Sequence, residues 1–344
     1  MFDIPQWLWL ATIGLVLGLL AVDYLVAVRR PHAVGLAEAT AWSVFYIAVA
    51  LGFGVALWAV AGSEAAIEYY AGWGVEKSLS VDNLFVFVII LSAFAVPPEH
   101  EQQVLLVGIT IALLMRAAFI AVGAAAINLF SPTFLLFGLL LLWTAVMLFR
   151  HRDEDPDVED NPVLRLARRF LPLTSEFHGG RLTTKVDGRR VLTPLFLVFL
   201  AVGTTDLLFA LDSIPAVFGI SQHGFIVFAA NAFALLGLRA LYFLVEGLLE
   251  RLLYLSIGLA AVLGFIGVKL ILLFLHEDVS EAVPEISTPV SLLVIAAIML
   301  VTTLASILRS RAHPQERAHA GALRQQQARR QRRRAAEKGS GRST

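Results

Sequence analysis

Two pairs of acidic residues with the same spacing lie in apolar stretches of the chain, where carboxylates could bind a cation. Glu76 and Asp82 belong to the run EKSLSVDNLFVFVII, and Asp206 and Asp212 belong to the run TTDLLFALDSIPAVF. A carboxylate in the middle of a bilayer costs about 2.5–3.5 kcal/mol even on lenient insertion scales. Acids at such positions therefore favour a function, and we infer a pathway for cations.

The other polar residues indicate which cations could bind. The chain has no cysteine, which excludes thiolate sites for copper, zinc and iron–sulfur clusters. Its eight histidines fall in loops, at the ends of predicted spans or in the tail. Oxygen donors remain, and Asn83 and Ser213 directly follow the second acid of each pair. Oxygen ligands suit Mg²⁺, Ca²⁺ and Mn²⁺, while carboxylates in membranes also serve as proton relays.

Helix geometry limits how the four acids act together. Residues six apart differ by about 240° around an α-helix, so Glu76 and Asp82 do not share a face. Glu76 and Asn83 are seven residues apart and do share one. An ion held by all four acids would need a broken helix or the convergence of two helices. Pro215 follows Asp212 by three residues and can open the helix there, because it removes a backbone donor.

Composition defines the class of protein that holds these acids. The chain has 344 residues, of which 58% are hydrophobic and 16% are charged, and its mean hydropathy is +0.76. Apolar stretches of about 20 residues recur, each long enough to cross a hydrocarbon core of about 30 Å as a helix. We predict an all-α, polytopic helical membrane protein. Its nine predicted spans are 7–28, 41–61, 76–96, 103–126, 130–149, 194–220, 224–247, 254–275 and 288–308.

The distribution of charge predicts the orientation of these spans. Residues 309–344 carry eleven Lys or Arg and two acids, and residues 150–193 carry nine Lys or Arg. The predicted loops on the other side, 62–75 and 277–287, carry acids and no Lys or Arg. Because basic loops stay in the cytoplasm, we predict the N-terminus outside and the C-terminus inside.

The same boundaries divide the chain. Residues 1–308 form a predicted transmembrane domain, which includes 150–193 as a cytoplasmic loop, and residues 309–344 form a basic tail. Its Gln, Arg and Ala bias predicts disorder, and its arginines are expected to contact anionic membrane lipid. No aromatic residue lies among them, so we expect no nucleic-acid partner. The loop and the tail leave protein partners open.

Segments three to five resemble segments six to eight. The acidic pairs lie 130 residues apart, and the segments that follow them carry single arginines, Arg116 and Arg239, which lie 123 residues apart. In the predicted orientation the third segment runs inward and the sixth runs outward. We therefore predict an inverted-topology repeat, an arrangement in which many secondary transporters bind substrate near the midplane.

The acids also admit a purely structural explanation. For the first acid of each pair both explanations stay open, and for the second acid, flanked by long apolar runs, we favour function. Asp23 is interpreted as an interfacial carboxylate, because Arg29 follows it closely. Four basic residues could form structural ion pairs with acids: Lys77, Arg116, Arg239 and Lys269.

Taken together, these motifs resemble those of the TerC/Alx family of bacterial membrane proteins. The resemblance spans most of residues 20–275, and the two acidic motifs are its most specific part. The runs that carry it are EKSLSVDNLFVF (76–87), VPPEHEQQVLLVGI (96–109), NP (161–162), FHGG (177–180), TPLFLVF (193–199), TDLLFALDSIPAVFGI (205–220), FIVFAANAFALLGLRALYF (225–243) and GFIGVK (264–269).

The resemblance implies manganese efflux or handling, a link to tellurite resistance and a place in the bacterial cytoplasmic (inner) membrane. It implies no tightly bound cofactor, with Mn(II) as the transported ion. By motif position the implied metal residues are Glu76, Asp82, Asn83, Asp206, Asp212 and Ser213. One position departs from the family pattern, because Gly203 stands where a glutamate usually precedes the first Asp of the second motif. Weaker binding, altered ion choice or a paralogue that does not transport could each follow, and our hypothesis is transport of a divalent cation with lower affinity.

Several functions compete at this stage. The leading hypothesis is export of a divalent cation, with Mn(II) first, by exchange for protons. The alternative is a membrane partner that does not transport, but delivers metal or scaffolds a tellurite- or stress-response complex. Export of small amino acids is a third hypothesis and predicts no effect on manganese. An enzyme is not expected, because the sequence shows neither a nucleophile–base arrangement nor a phosphate-binding GxxxxGK[ST] run.

Overall fold

Helices dominate the part of the chain that the structure describes. The computed structural model describes residues 5–29, 34–130, 132–150, 162–174, 177, 180–186, 189–245, 254–280 and 282–312. The elements are α1 (Gln6–Arg29), α2 (Leu36–Ala93), α3 (Pro98–Leu129), α4 (Thr133–Arg150), α5 (Pro162–Phe170), β1 (Thr183–Val186), β2 (Arg189–Leu192), α6 (Pro194–Phe218), α7 (Gly224–Leu235), α8 (Leu238–Val245), α9 (Leu255–Asp278) and α10 (Thr288–Ala312).

The long helices confirm a polytopic helical membrane protein. Within the described residues, seven helices are long and apolar enough to cross a membrane. The pair α7 and α8, bent by 41° at its break, gives an eighth. The break lies at Gly237, whose φ of 76° belongs to the left-handed region that favours glycine. The predicted seventh segment is therefore two short helices rather than one.

The 58-residue helix α2 contains two of the predicted spans and folds back on itself. Gly62 interrupts it with φ 89° and ψ 176°. Beyond this break, Tyr69 Oη donates to the carbonyl of Ala50 at 3.0 Å, although the two residues are 19 apart in sequence. A straight α-helix would separate residues 19 apart by about 28 Å, so the chain must reverse at Gly62. We call residues 36–61 the first arm of α2 and residues 63–93 its second arm.

This reversal corrects one sequence prediction. Residues 62–75 were expected to form a loop, but all of them except Gly62 continue the helix. Alanines and glutamates, which favour helix, follow Gly62 in this stretch, at positions 64–66, 68 and 71. Each predicted span now lies in a helix, a helical arm or the bent pair, and the number of crossings stays a prediction.

The predicted cytoplasmic loop at 150–193 contains structure of its own. Its described part forms α5 and an antiparallel hairpin, in which Thr183 pairs with Leu192 and Val186 with Arg189. The two strands are the exception to the all-α prediction. Thr193 Oγ1 donates to the carbonyl of Arg181 at 2.7 Å and joins the hairpin to the start of α6. The basic tail beyond residue 312 lies outside the described residues, so its disorder stays a prediction.

Helices α4 and α9 meet through glycines. A Cβ on Gly138 would lie 2.8 Å from the carbonyl oxygen of Gly267, and one on Gly267 would lie 2.9 Å from that of Gly138. Gly267 also faces Leu142, and Gly264 faces Ala145, so the helices run antiparallel. Small residues at such a contact let backbones approach closely, which is how helices associate in membranes.

The remaining helix contacts join the two predicted halves. The second arm of α2 and α3 belong to one half, while α6 and the pair α7–α8 belong to the other. Helix α2 packs against α7 and α6, and α3 packs against the same two. Gly138 and Gly267 lie 129 residues apart, close to the 130 that separate the acidic pairs. Each of these two helices of one predicted half thus contacts both helices of the other, and the repeat itself stays a prediction.

A buried ion pair ties α1 to this assembly. Arg239 Nε donates to Asp23 Oδ1 at 3.1 Å, and Arg239 Nη1 donates to Gln102 Oε1 at 2.9 Å. Asp23 and Arg239 are 4% and 3% exposed. Asp23 thus pairs with a residue 216 positions away, and its place at the membrane interface stays a prediction.

We expect Gly138→Ala to lower the thermal stability of the protein. The added methyl group would press against the backbone of α9, and overpacking of this kind costs about 1–3 kcal/mol. The midpoint of thermal unfolding in detergent measures the change. Gly52→Ala is the matched control, because a Cβ there meets nothing within 4 Å. Equal midpoints for the two variants would contradict the tight α4–α9 contact.

Removal of the carboxylate at Asp23 should destabilise the protein more strongly. Asp23→Asn leaves the Arg239 guanidinium buried without a counter-charge, and breaking a buried pair in this way costs about 3–5 kcal/mol. The same unfolding measurement applies. Glu64→Gln, on the exposed surface of α2, is the control and should leave the midpoint within error. A loss no larger than that of the control would show that the pair contributes nothing to stability.

Candidate functional site

A single buried arginine gathers polar side chains from several helices. Arg116, in α3, has no exposed side-chain area. Its Nη1 contacts Glu76 Oε1 on the second arm of α2, and its Nη2 lies 3.7 Å from Asp206 Oδ1 on α6. Glu76 is fully buried and Asp206 is 2% exposed. The first acids of the two sequence pairs thus meet at one guanidinium.

Two amides complete the shell of this arginine. Asn83 Oδ1 accepts from Arg116 Nη2 at 3.0 Å when its amide is oriented so that Nδ2 donates to the carbonyl of Leu79. Asn231 Oδ1, on α7, lies 3.5 Å from Nη1. Glu76 and Asn83 both face Arg116, which confirms the helical face predicted from their spacing of seven. We call Glu76, Asn83, Arg116, Asp206 and Asn231 the arginine cluster.

Several buried polar atoms of α2, α6 and α7, some of them in the arginine cluster, have no hydrogen-bond partner among the described residues. They are Glu76 Oε2, Asp206 Oδ2, Ser80 Oγ, Ser213 Oγ and Asn231 Nδ2. Buried polar atoms are rarely left unpaired, so such a group asks for an explanation. Two carboxylates face one guanidinium, so one negative charge is in excess when both carboxylates are ionised. Oxygen donors and negative charge are what a hard cation binds.

The second acid of the second pair lies elsewhere. Asp212 Oδ1 accepts from Thr144 Oγ1, on α4, at 2.9 Å. Asp206 contacts α3 and Asp212 contacts α4, which agrees with the 240° between residues six apart. Asp212 is half-buried, whereas Ser213 beside it is buried. The structure therefore brings Asp206, but not Asp212, to Arg116.

The predicted metal residues do not form one ready-made cage. Among the described residues, no group of three or more His, Asp or Glu side chains is placed to hold a metal ion. Asp82 lies in the second arm of α2, and its side chain lies outside the described residues. The assignment of Glu76, Asp82, Asn83, Asp206, Asp212 and Ser213 to a metal stays a prediction.

The two lysines in the spans behave differently from the arginines. Lys77 Nζ donates to the carbonyl of Ala234 at 3.0 Å, at the end of α7. A cation is favourable there, because the carbonyl end of a helix carries partial negative charge. Lys269 is 6% exposed in α9. Neither lysine forms an ion pair with an acid in the part of the chain that the structure describes.

One polar contact was not anticipated from the sequence. Glu68 Oε2 accepts from Ser221 Oγ at 2.6 Å and lies 3.3 Å from Nδ1 of His223. It joins the second arm of α2 to the turn between α6 and α7. Sequence spacing carries no signal for it, because Ser221 is 153 residues from Glu68. Thr144 was also missed, although it is a single hydroxyl within the apolar run of α4 and could have been noticed there.

Comparison with known proteins agrees with these motifs. The sequence profile described as "Integral membrane protein TerC family" matches residues 61–313. The uncharacterized membrane protein Rv2723 of Mycobacterium tuberculosis is 49% identical over 319 residues, which cover 89% of this chain and 80% of that protein. The thylakoid membrane protein TERC of Arabidopsis thaliana is 42% identical over 234 residues, covering 68% of this chain and 61% of that protein.

A further relative comes from Escherichia coli. Alx, whose name proposes a membrane-bound redox modulator, is 35% identical over 310 residues, which cover 87% of this chain and 94% of Alx. No solved structure matches the chain. With a family profile matched across most of its length and relatives of this similarity, the chain belongs to the TerC family of integral membrane proteins.

Proposed function

We propose that this chain is a secondary transporter that exports a divalent metal cation across the bacterial cytoplasmic membrane. Mn(II) is the leading candidate for that cation. One observation carries the proposal. Glu76 and Asp206, one from each predicted half, are buried together, and each has an oxygen without a hydrogen-bond partner among the described residues. Ionisable residues inside a membrane protein mark ion pathways by default.

The chemistry of the donors supports a hard cation. The residues around Arg116 offer carboxylate and amide oxygens, which suit Mg²⁺, Ca²⁺ and Mn²⁺. Soft thiolate ligands are excluded, because the chain has no cysteine. Manganese in particular comes from the family resemblance, which is why it is the first ion to test. Exchange for protons fits this site, because a buried carboxylate that releases its cation can bind a proton instead.

The architecture supports alternating access. The paired contacts of α2 and α3 with α6 and α7 place acids from both predicted halves at one point. The bend at Gly237 breaks the α7–α8 pair, and broken helices near a midplane site are the usual device of secondary transporters. Rocking of one half against the other would then expose the carboxylates to each side in turn.

An accessory role is the alternative, and the name of Alx favours it. A redox modulator that uses its own thiols is excluded for this chain, which has no cysteine. A redox role would have to act through a bound metal or through a partner protein. Such a partner would be recognised by the basic loop and tail rather than by the buried acids.

We expect expression of this chain to lower total cell manganese in an efflux-deficient bacterial host under manganese load. Asp82→Asn and Asp212→Asn should each restore the higher level, because each removes a carboxylate of the pathway. Elemental analysis measures the metal, and membrane fractions show that each variant reaches the membrane. Glu64→Gln, an exposed acid, is the matched control and should still export. Asp206→Asn removes a carboxylate of the buried pair itself, and unchanged export in this variant and in both other Asp variants would contradict the carboxylate mechanism.

Deletion of residues 309–344 in the same host separates the two functions. A transporter should largely keep its effect on cell manganese, since the acids and helices remain. A scaffold that works through the tail should lose it. Loss of the effect with the truncated protein present in the membrane would therefore favour the accessory role.

Restoring the acid at position 203 should increase export. A Cβ on Gly203 would meet only Ile111 Cγ2 at 4.0 Å, so the backbone leaves room for a side chain. Glutamate there would lie one turn before Asp206 and add a hard-oxygen ligand. The rate of manganese loss from preloaded cells should rise in Gly203→Glu and stay unchanged in Gly203→Gln. A glutamate variant that is present in the membrane but no faster would contradict the expectation.

A further inference from the structure

We propose that Arg116 is a tethered counter-ion, which neutralises the carboxylates of the empty site and must leave them when a divalent cation binds. The proposal rests on the function proposed above and assigns a specificity-determining role to a residue that is not itself an ion ligand. It explains why a cation site is built around a permanent positive charge.

The geometry places the guanidinium where a cation would bind. Nη1 contacts Glu76 Oε1, and Nη2 faces Asp206 Oδ1 at 3.7 Å. These are the only two acids that the described residues bring to Arg116. A metal ion that used both carboxylates would therefore compete with the guanidinium for the same oxygens. Arginine does not lose its proton in proteins, so the competition cannot be avoided by neutralising it.

Charge balance makes the competition strong. Two carboxylates and one guanidinium leave one negative charge, and a divalent cation added to all three would leave one positive charge in a fully buried place. Two carboxylates alone would balance the cation, so the cation and the guanidinium compete for the same negative charge. Uncompensated buried charge costs several kcal/mol, so cation binding and guanidinium contact oppose each other.

Two neutral amide oxygens lie close to the guanidinium. Asn83 Oδ1 lies 3.0 Å from Nη2 and Asn231 Oδ1 lies 3.5 Å from Nη1. Both are neutral acceptors, so they can hold the guanidinium without the acids. Because both amides already contact the guanidinium, they can retain it when an ion takes the oxygens of Glu76 and Asp206.

Arg239 provides the matched contrast. It occupies the corresponding setting in the second half, but it meets one carboxylate, Asp23, and the neutral Gln102. One charge balances the other, and nothing in this pair calls for a further cation. Substitution of Arg239 should therefore affect stability and leave ion affinity alone.

The test measures Mn(II) binding to the purified full-length protein by electron paramagnetic resonance, together with uptake into proteoliposomes. Arg116→Gln should bind Mn(II) at least tenfold more tightly than the unsubstituted protein, and its turnover should fall. Arg116→Lys keeps the positive charge but loses the two-pronged guanidinium. The Mn(II) affinity of this variant should therefore lie between those of the unsubstituted protein and Arg116→Gln. It also serves where the glutamine variant does not fold. Arg239→Lys should bind as the unsubstituted protein does.

The outcomes separate this inference from the proposed function. If the unsubstituted protein binds Mn(II) and the Arg116 variants bind with equal or lower affinity, the counter-ion role is overturned and export stands. If affinity and turnover both fall, Arg116 is only structural, and the role is again overturned. If neither the unsubstituted protein nor any Arg116 variant binds Mn(II), the proposed function itself fails. Tighter binding with slower turnover supports the role, since a structural defect would lower both.

Discussion

The cost of burying a carboxylate among apolar helices is the constraint on which this structure depends. Glu76 and Asp206 have almost no exposed area, and neither could stay ionised there without a nearby positive charge. Arg116 supplies it, and the acids fix where the second arm of α2, α3 and α6 must cross. Apolar and small residues pack the surrounding helices, and their contacts are less directional than the ion contacts.

Glycines shape the framework that holds these charges. Gly62 lets α2 reverse with φ 89°, Gly237 lets the α7–α8 pair bend with φ 76°, and both values belong to the region that other residues rarely adopt. Gly138 and Gly267 serve a different purpose, because their lack of a side chain lets α4 and α9 touch. Conformation explains the first two glycines, and close approach explains the second two.

The sequence pattern predicted those features that depend on residues close together in the chain. Apolar runs of sufficient length identified the membrane spans, and the spacing of seven placed Glu76 and Asn83 on one face. The reversal at Gly62 was missed, because no cluster of turn residues surrounds it. The partners of Asp23 and Asp212 were missed as well, since Arg239 and Thr144 lie 216 and 68 residues away. Periodicity reports which face of a helix is polar, and it carries no information about which distant helix packs there.

Arg116 contacts residues of both predicted halves. Its contact with Glu76 lies within the first predicted half, whereas its contacts with Asp206 and Asn231 reach the second. In the proposed mechanism, rocking of the halves would change the distance to Asp206, which at 3.7 Å is the more distant of the two carboxylates. Arg239 bridges in the opposite sense, from α8 to α1 and α3, through tighter bonds. One arginine thus holds the assembly together, while the other rests on a contact that relative motion can open.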